Sequence, residues 1–242
     1  MRMYLLLIPL LFCFCSPKTK GQTPKDTTDR VIAARNAIGE HLKKSVLDLG
    51  ARPGSEVFLR AFKREEQLEL WLKKDSVFHL FKTYKICYVP GRPGPKRKQG
   101  DFQVPEGVYC IDLFNPESNY HLSMRINYPN QADLYFADKE KPGGDIYIHG
   151  ACASIGCIPI EDANIEEVYL LAWDAKINGQ EQIPVHIFPC RLNDKNLVDL
   201  VDTDIFNRSF WENLRPVYDF FEEKRKVPDV AVNARGRYEI QN

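Results

Sequence analysis

An imidazole and a thiol stand eight residues apart, at His149 and Cys157, in the segment 145–160, which reads Asp-Ile-Tyr-Ile-His-Gly-Ala-Cys-Ala-Ser-Ile-Gly-Cys-Ile-Pro-Ile. Ile146 and Ile148 flank Tyr147 in a strand-like alternation that ends at His149, and a loop of small residues then delivers Cys157. A free thiol has a pKa near 8.5 and is only a few per cent thiolate at neutral pH, so a nucleophilic role for Cys157 calls for a base, which His149 can be. Lowering the thiol by about two and a half units would take roughly 3.4 kcal/mol of preferential stabilisation of the thiolate. Ile155 and Gly156 enter Cys157 through a tight turn, so their N–H groups, with that of Cys157, can converge on an oxyanion. The Gly150 carbonyl is placed to fix the imidazole tautomer, and Ser154 to shape the loop or meet substrate. The chemistry these residues suit is acyl transfer, with Cys157 as nucleophile and His149 as general base and acid. The plainer alternative, a strand-end histidine and a buried cysteine acting as a small hydrophobe, is the commoner fate of such residues.

His149-Gly150 followed by Ser154, Gly156 and Cys157 resembles the catalytic signature of the L,D-transpeptidase (YkuD) family, and within it the YafK-like branch. Further agreement comes from Gly94-Pro95-Lys96 with Gly100-Asp101, from Val104-Pro105-Glu106-Gly107-Val108-Tyr109, and from Asn127-Tyr128-Pro129-Asn130. Two positions depart from the commoner family pattern: Ile155 stands where a second histidine is usual, and Pro159 where an arginine usually follows the cysteine. Nucleophile and base are kept, so the departure falls on how substrate is gripped. The resemblance implies a mainly β catalytic domain, a sandwich or barrel, acting without a cofactor or metal. Its substrates would be peptidoglycan stem peptides joined through a diaminopimelate-type residue, processed by way of a Cys157 thioester. The YafK-like branch adds hydrolysis at the diaminopimelate bond, including release of a wall-linked lipoprotein, to the crosslinking expected of the wider family.

The elements that must hold this loop are legible in outline. At 242 residues, 44% hydrophobic and 27% charged, the chain has the composition of one well-cored domain with additions. Lysine plus arginine equals aspartate plus glutamate at 33 each, which leaves no bulk field for nucleic acid. Residues 4–14 form an apolar run behind Met1-Arg2-Met3, too short to span a bilayer and laid out as a secretory leader. Cys13 and Cys15 end that run and a polar, proline-containing stretch follows, so we expect export to the periplasm with lipid attachment at Cys15. The leader is assigned to 1–15 and a flexible linker to 16–28. Of the five remaining cysteines, Cys157 is expected to be free, with Cys152 packed beneath the loop or bonded to Cys157.

Periodicity predicts a helix over 29–50, with Val31, Ala34, Ile38, Leu42, Val46 and Leu49 on one face and Thr28 or Asp29 as cap. A catalytic domain over 55–190 follows, with strands at 56–62, 68–72, 77–89, 108–113, 121–126 and 183–188 and a bracing helix after Asp162 or Asn164. The remaining 191–242 are expected to be a helical extension, broken at Pro216. The class is therefore α+β, mainly β with flanking helices. His41, His79 and His186 are read as structural, while His121, at a strand start, can lie near the site but is not counted among the candidates. Lys96, with Arg97 and Lys98, is a candidate to receive a substrate carboxylate, and Arg125 and Tyr128 are secondary substrate-binding candidates for which packing or a surface ion pair is the alternative role. Two other functional classes compete with the enzyme. One is a zinc module using His149, Cys152 and Cys157; the other is a catalytically silent wall-binding lipoprotein.

Overall fold

The computed structural model describes residues 28–241, so the leader, almost all of the linker and Cys15 lie outside the described residues. Helix α1 spans Asp29–Asp48 and buries Val31, Ala34, Leu42 and Val46, with Ile38 and Leu49 packed at the margin of the same core. Thr28 occupies the cap position, but its side chain makes no capping bond, so the acidic Asp29 in the first turn is what favours this end. Arg35 reaches Asp174 through a forked pair at 2.7 and 3.2 Å, fastening α1 to a later helix.

Eight strands build one sheet: β1 Val57–Phe62, β2 Gln67–Lys74, β3 Val77–Lys85, β4 Gly107–Ser118, β5 His121–Ile126, β6 Tyr147–His149, β7 Ile158–Pro159 and β8 Ile183–Phe188. Their spatial order is β3-β2-β1-β8-β4-β5-β6-β7, parallel at β1/β8 and β6/β7 and antiparallel at every other pair. The two edges of this sheet meet. Just beyond β3, the Cys87 N–H donates to the carbonyl of Pro159 in β7 at 3.0 Å, and Cys87 is disulfide-bonded to Cys152 in the loop between β6 and β7. Curling a sheet until its edges touch removes the unpaired rows that an open sheet leaves exposed.

The period-two pattern explains the two faces. Val57, Leu59, Leu68, Leu70 and Leu72, the expected inward set, join α1 and helix α3 (Asp162–Ile177) in the main core. The alternate positions Phe58, Trp71 and Phe78 are also buried, against Phe221 of the C-terminal extension. Every residue of β1 is consequently buried, Arg60 included. Arg60 pairs with Glu69 and Glu222, and its guanidinium lies 4.7 Å from the Phe221 ring and 4.9 Å from that of Phe62.

The extension holds α4 (Asp194–Thr203), a 3-10 turn (Ile205–Asn207), α5 (Arg208–Lys224) and a two-stranded hairpin, β9 Val230–Val232 with β10 Tyr238–Ile240. Pro216 does not break α5, contrary to the expectation from sequence. An interior proline costs ~3 kcal/mol or more, and the buried stripe Phe210, Trp211, Leu214, Val217, Tyr218 and Phe221 offsets it. A short helix, α2 (Gln131–Phe136), and the β9–β10 hairpin have no counterpart in the sequence reading. Strand β3 stops at Lys85 rather than 89, because Cys87 turns to its disulfide. His186, on β8, is core-facing, its ring 4.8 Å from Phe58, and burial pushes its pKa down to about 3. His121 pairs with Glu166 at 2.7 Å.

Candidate active site

Strands β6 and β7 run parallel in the register Ile148↔Ile158 and His149↔Pro159, which sets Cys157 beside Tyr147. Residues opposed across a ladder share a face, and so do residues two apart on one strand. His149 and Tyr147 share one face of β6, and Cys157, the residue just before β7, is set against the Tyr147 backbone two residues from the imidazole. The Tyr147 N–H approaches the Cys157 Sγ at 3.4 Å, and the thiol approaches the Asp145 carbonyl oxygen at 3.7 Å.

The imidazole is fixed from two sides. Its Nδ1 lies 2.5 Å from the Gly150 carbonyl oxygen. A carbonyl only accepts, so Nδ1 carries the hydrogen and Nε2 keeps its lone pair for a proton. The ring of Tyr120 lies over it with centroids 4.8 Å apart and planes tilted by 35°. His149 is buried, and burial lowers its pKa, an effect partly opposed by the Gly150 bond. Gly150 has no room for a side chain: a Cβ would meet the Asp162 carboxylate and the Tyr120 carbonyl.

Burial also acts on the nucleophile, in the direction opposite to the sequence-based expectation of a depressed thiol. The Cys157 thiol is pushed up by desolvation and by the Asp145 carboxylate, against the weaker pull of the Tyr147 N–H and of Lys96. The resting pair is thus neutral thiol and neutral imidazole.

Ser154 organises the turn before the thiol. Its hydroxyl accepts the Gly156 N–H at 3.0 Å and donates to the Cys157 carbonyl at 2.9 Å. Gly156 takes a φ of +146°, and its N–H is directed at Ser154 rather than held ready for an oxyanion. The Ile155 side chain is 75% exposed. The start of the loop is pinned where the Ala151 N–H donates to Asp162 at 2.8 Å.

All four candidate substrate-binding residues are already engaged, Ser154 in the turn just described. Lys96 is buried and pairs with Asp101 at 2.6 Å, so it is not an open cation for a carboxylate. Tyr128 is buried and donates its hydroxyl to the Pro142 carbonyl at 2.9 Å, which makes it a packing residue. Arg125 forms a forked pair with Asp112 at 3.0 and 3.3 Å and also faces Asp145 at 3.5 Å. It stands opposite Tyr147 in the β5–β6 register, so it shares the thiol's face while its charge is largely answered. Cys152, expected to pack or to bond Cys157, is instead joined to Cys87, and the zinc set of His149, Cys152 and Cys157 loses its middle thiolate. Cys157 and Cys190 are the free thiols among the described residues, and Cys190 is buried.

Tyr120 is the site residue that sequence reasoning missed. Nothing in the stretch Ser118-Asn119-Tyr120-His121 marks chemistry, because its role comes from the β4–β5 turn folding over His149. That turn is held from α1, where Arg30 Nη1 donates to the carbonyls of Ser118 and His121 at 2.6 and 2.7 Å.

The YkuD L,D-transpeptidase catalytic domain matches residues 60–177, a span that contains His149 and Cys157. YafK of Escherichia coli (strain K12), whose name provisionally places it among the L,D-transpeptidases, is 37% identical over 189 residues, covering 77% of this chain and 74% of YafK. Among solved structures, the helical cell shape determining protein Pgp2 (K307A mutant) from Campylobacter jejuni aligns over 76% of this chain and 68% of its own, at 20% identity and a TM-score of 0.45. Mycobacterium tuberculosis L,D-transpeptidase 1 aligns over 55% and 62%, at 13% identity and a TM-score of 0.32. Both are too distant in geometry to bear on the site. On its sequence similarity, the chain belongs to the YkuD-type L,D-transpeptidase family and is YafK-like.

Proposed function

We propose that this protein is a cysteine acyl-transfer enzyme acting on peptidoglycan stem peptides through a Cys157 thioester. The observation that carries the reading is that β6–β7 pairing sets Cys157 against the Tyr147 backbone two residues before His149, whose Nδ1 is bound to Gly150 and whose Nε2 is left as the base. In the first half-reaction the Cys157 sulfur attacks an amide carbonyl carbon while its proton passes to His149 Nε2. The C–N bond then breaks, the imidazolium returns the proton to the departing amine, and the acyl group remains on sulfur. In the second half an amine or water attacks the thioester, His149 takes that nucleophile's proton, and the proton ends on the released thiol. Because Gly156 is committed to Ser154, we assign oxyanion stabilisation first to the N–H groups of Ile155 and Cys157, with Gly156 joining if Ser154 releases it.

Transfer to an amine is crosslinking, and transfer to water is hydrolysis at the diaminopimelate bond, including release of a wall-linked lipoprotein. The YafK-like sequence favours water. The apolar leader supports export to the periplasm with attachment at Cys15, which loss of palmitate-analogue labelling in Cys15→Ser would test. Incubating the purified protein with muropeptides and resolving dimers from trimmed monomers tests the reaction. Trimmed monomers are expected; no change in any muropeptide would contradict the whole reading.

A further inference from the structure

The imidazole of His149 is covered by a residue with little local support. Tyr120 lies in the tight turn between β4 and β5, just past the last ladder pair, Ser118 with His121, and His121 takes a φ of +68° there. The Tyr120 N–H is held by the Ser118 hydroxyl at 3.1 Å, a bond to the backbone that does not itself restrain the ring. The ring is 48% exposed and yet lies over the imidazole. What places the turn comes from outside it. From α3, Glu166 pairs with His121 at 2.7 Å. From below, Gly150 is so close that a Cβ there would stand 2.8 Å from the Tyr120 carbonyl oxygen. From α1, Arg30 Nη1 bridges the mouth of the turn, donating to the carbonyls on either side of it, those of Ser118 and His121. Both bonds have a charged donor, which makes them the stronger kind. Helix α1 is a firm base for them, since Val31 is buried in the core and Arg35 is forked onto Asp174.

We propose that Arg30 is a positioning residue for the base: by tying both ends of the β4–β5 turn to α1, it keeps the Tyr120 ring over His149. The role rests on the acyl-transfer reading above. Arg30 makes no ion pair among the described residues, so its guanidinium is committed to these two carbonyls. The domain match begins at residue 60, so the cover of the base is completed by an element outside the matched domain. With the tie cut, the turn can lift, water reaches the imidazole, and the charged form of His149 is no longer penalised by burial. The other titratable or charged groups around the ring and its turn are Cys157, Asp162 behind Gly150, and the His121–Glu166 pair. A variant must therefore separate the lost tie from a lost charge, and Arg30→Lys keeps the charge and a donor.

The test is histidine-selective NMR on the full-length protein, which needs no turnover. The chain has five histidines, and His149→Gln identifies the signals of interest. An aromatic ring lying over the imidazole displaces its protons upfield, so Tyr120→Ala should move the His149 ring signals downfield and raise the pH midpoint of their titration. Arg30→Gln should produce both shifts, and Arg30→Lys should recover part of them. The double variant Arg30→Gln/Tyr120→Ala should match Tyr120→Ala alone, because the tie has nothing left to hold. The signals of His41, His79 and His186, on α1, β3 and β8, should stay in place and report a retained fold. Unmoved His149 signals in Arg30→Gln, or shifts that add in full to those of Tyr120→Ala, would overturn the proposal. Failure of Cys157 to acylate would defeat the acyl-transfer reading while leaving these shifts standing.

Discussion

Burial raises the Cys157 thiol and lowers the His149 imidazole, so the pair rests uncharged and the thiol must give up its proton to Nε2 in the course of attack. Alkylation of Cys157 by iodoacetamide, followed by peptide mass spectrometry, should therefore keep accelerating as pH rises past 8.5; a plateau below pH 7 would mean a preformed ion pair. Tyr120 sets the other limb of the pH profile. Its ring excludes water from His149, which lowers the imidazole pKa and keeps the base neutral to lower pH. Tyr120→Ala should raise that pKa and move the acid limb of kcat/KM to higher pH, while Tyr120→Phe leaves it in place. Identical profiles for the two variants would remove the role. His149 and Cys157 were legible because a histidine closing an alternating run and a cysteine behind small residues make a local pattern. Tyr120, the closed ion pair of Lys96 and the raised thiol were not, since each depends on what folds over the residue rather than on its neighbours in sequence.

At the scale of elements, the catalytic loop is held at both ends: Ala151 by Asp162, and Cys152 by Cys87 at the far edge of the sheet. With a sequence separation of 65, the chain-entropy model assigns this disulfide roughly 4 kcal/mol of stability, and 2–4 kcal/mol is the usual range. Cys87→Ser/Cys152→Ser should lower the urea-unfolding free energy by about 2–4 kcal/mol. A change under ~0.5 kcal/mol would show that the edges stay closed on hydrogen bonds alone. The long strands and α1 were readable from their periods of 2 and 3.6. Strand β7 is two residues long and α2 six, too short for either period to register, and the Cys87–Cys152 pairing required knowing that the edges meet.

Across the whole molecule, the catalytic sheet and the extension share one buried hub. Glu106 takes Lys63 at 2.8 Å and the Gly94 N–H at 2.7 Å on one oxygen and Trp211 Nε1 at 2.8 Å on the other. Lys63 also donates to the carbonyls of Gly94 and Val104 at 2.8 and 2.9 Å, so the hub anchors the 92–103 loop as well. Glu106→Ala strands a buried ammonium and should destabilise the protein by about 3–5 kcal/mol. A loss below ~1 kcal/mol would show that the extension packs independently of the loop. In sequence Glu106 was only part of a resemblance, and the aromatic stripe of α5 only a core of unspecified address. The address, the second face of β1 and β2, emerged because Phe58 and Trp71 alternate with the leucines yet are buried too.

The most direct test of the account is mass spectrometry of the intact protein after exposure to a carbapenem, whose ring carbonyl offers Cys157 an acyl group. The account predicts one adduct, mapped to Cys157, absent in Cys157→Ser and slowed by at least about a hundredfold in His149→Ala. No adduct, or an adduct at Cys157 that forms equally fast without His149, would contradict it.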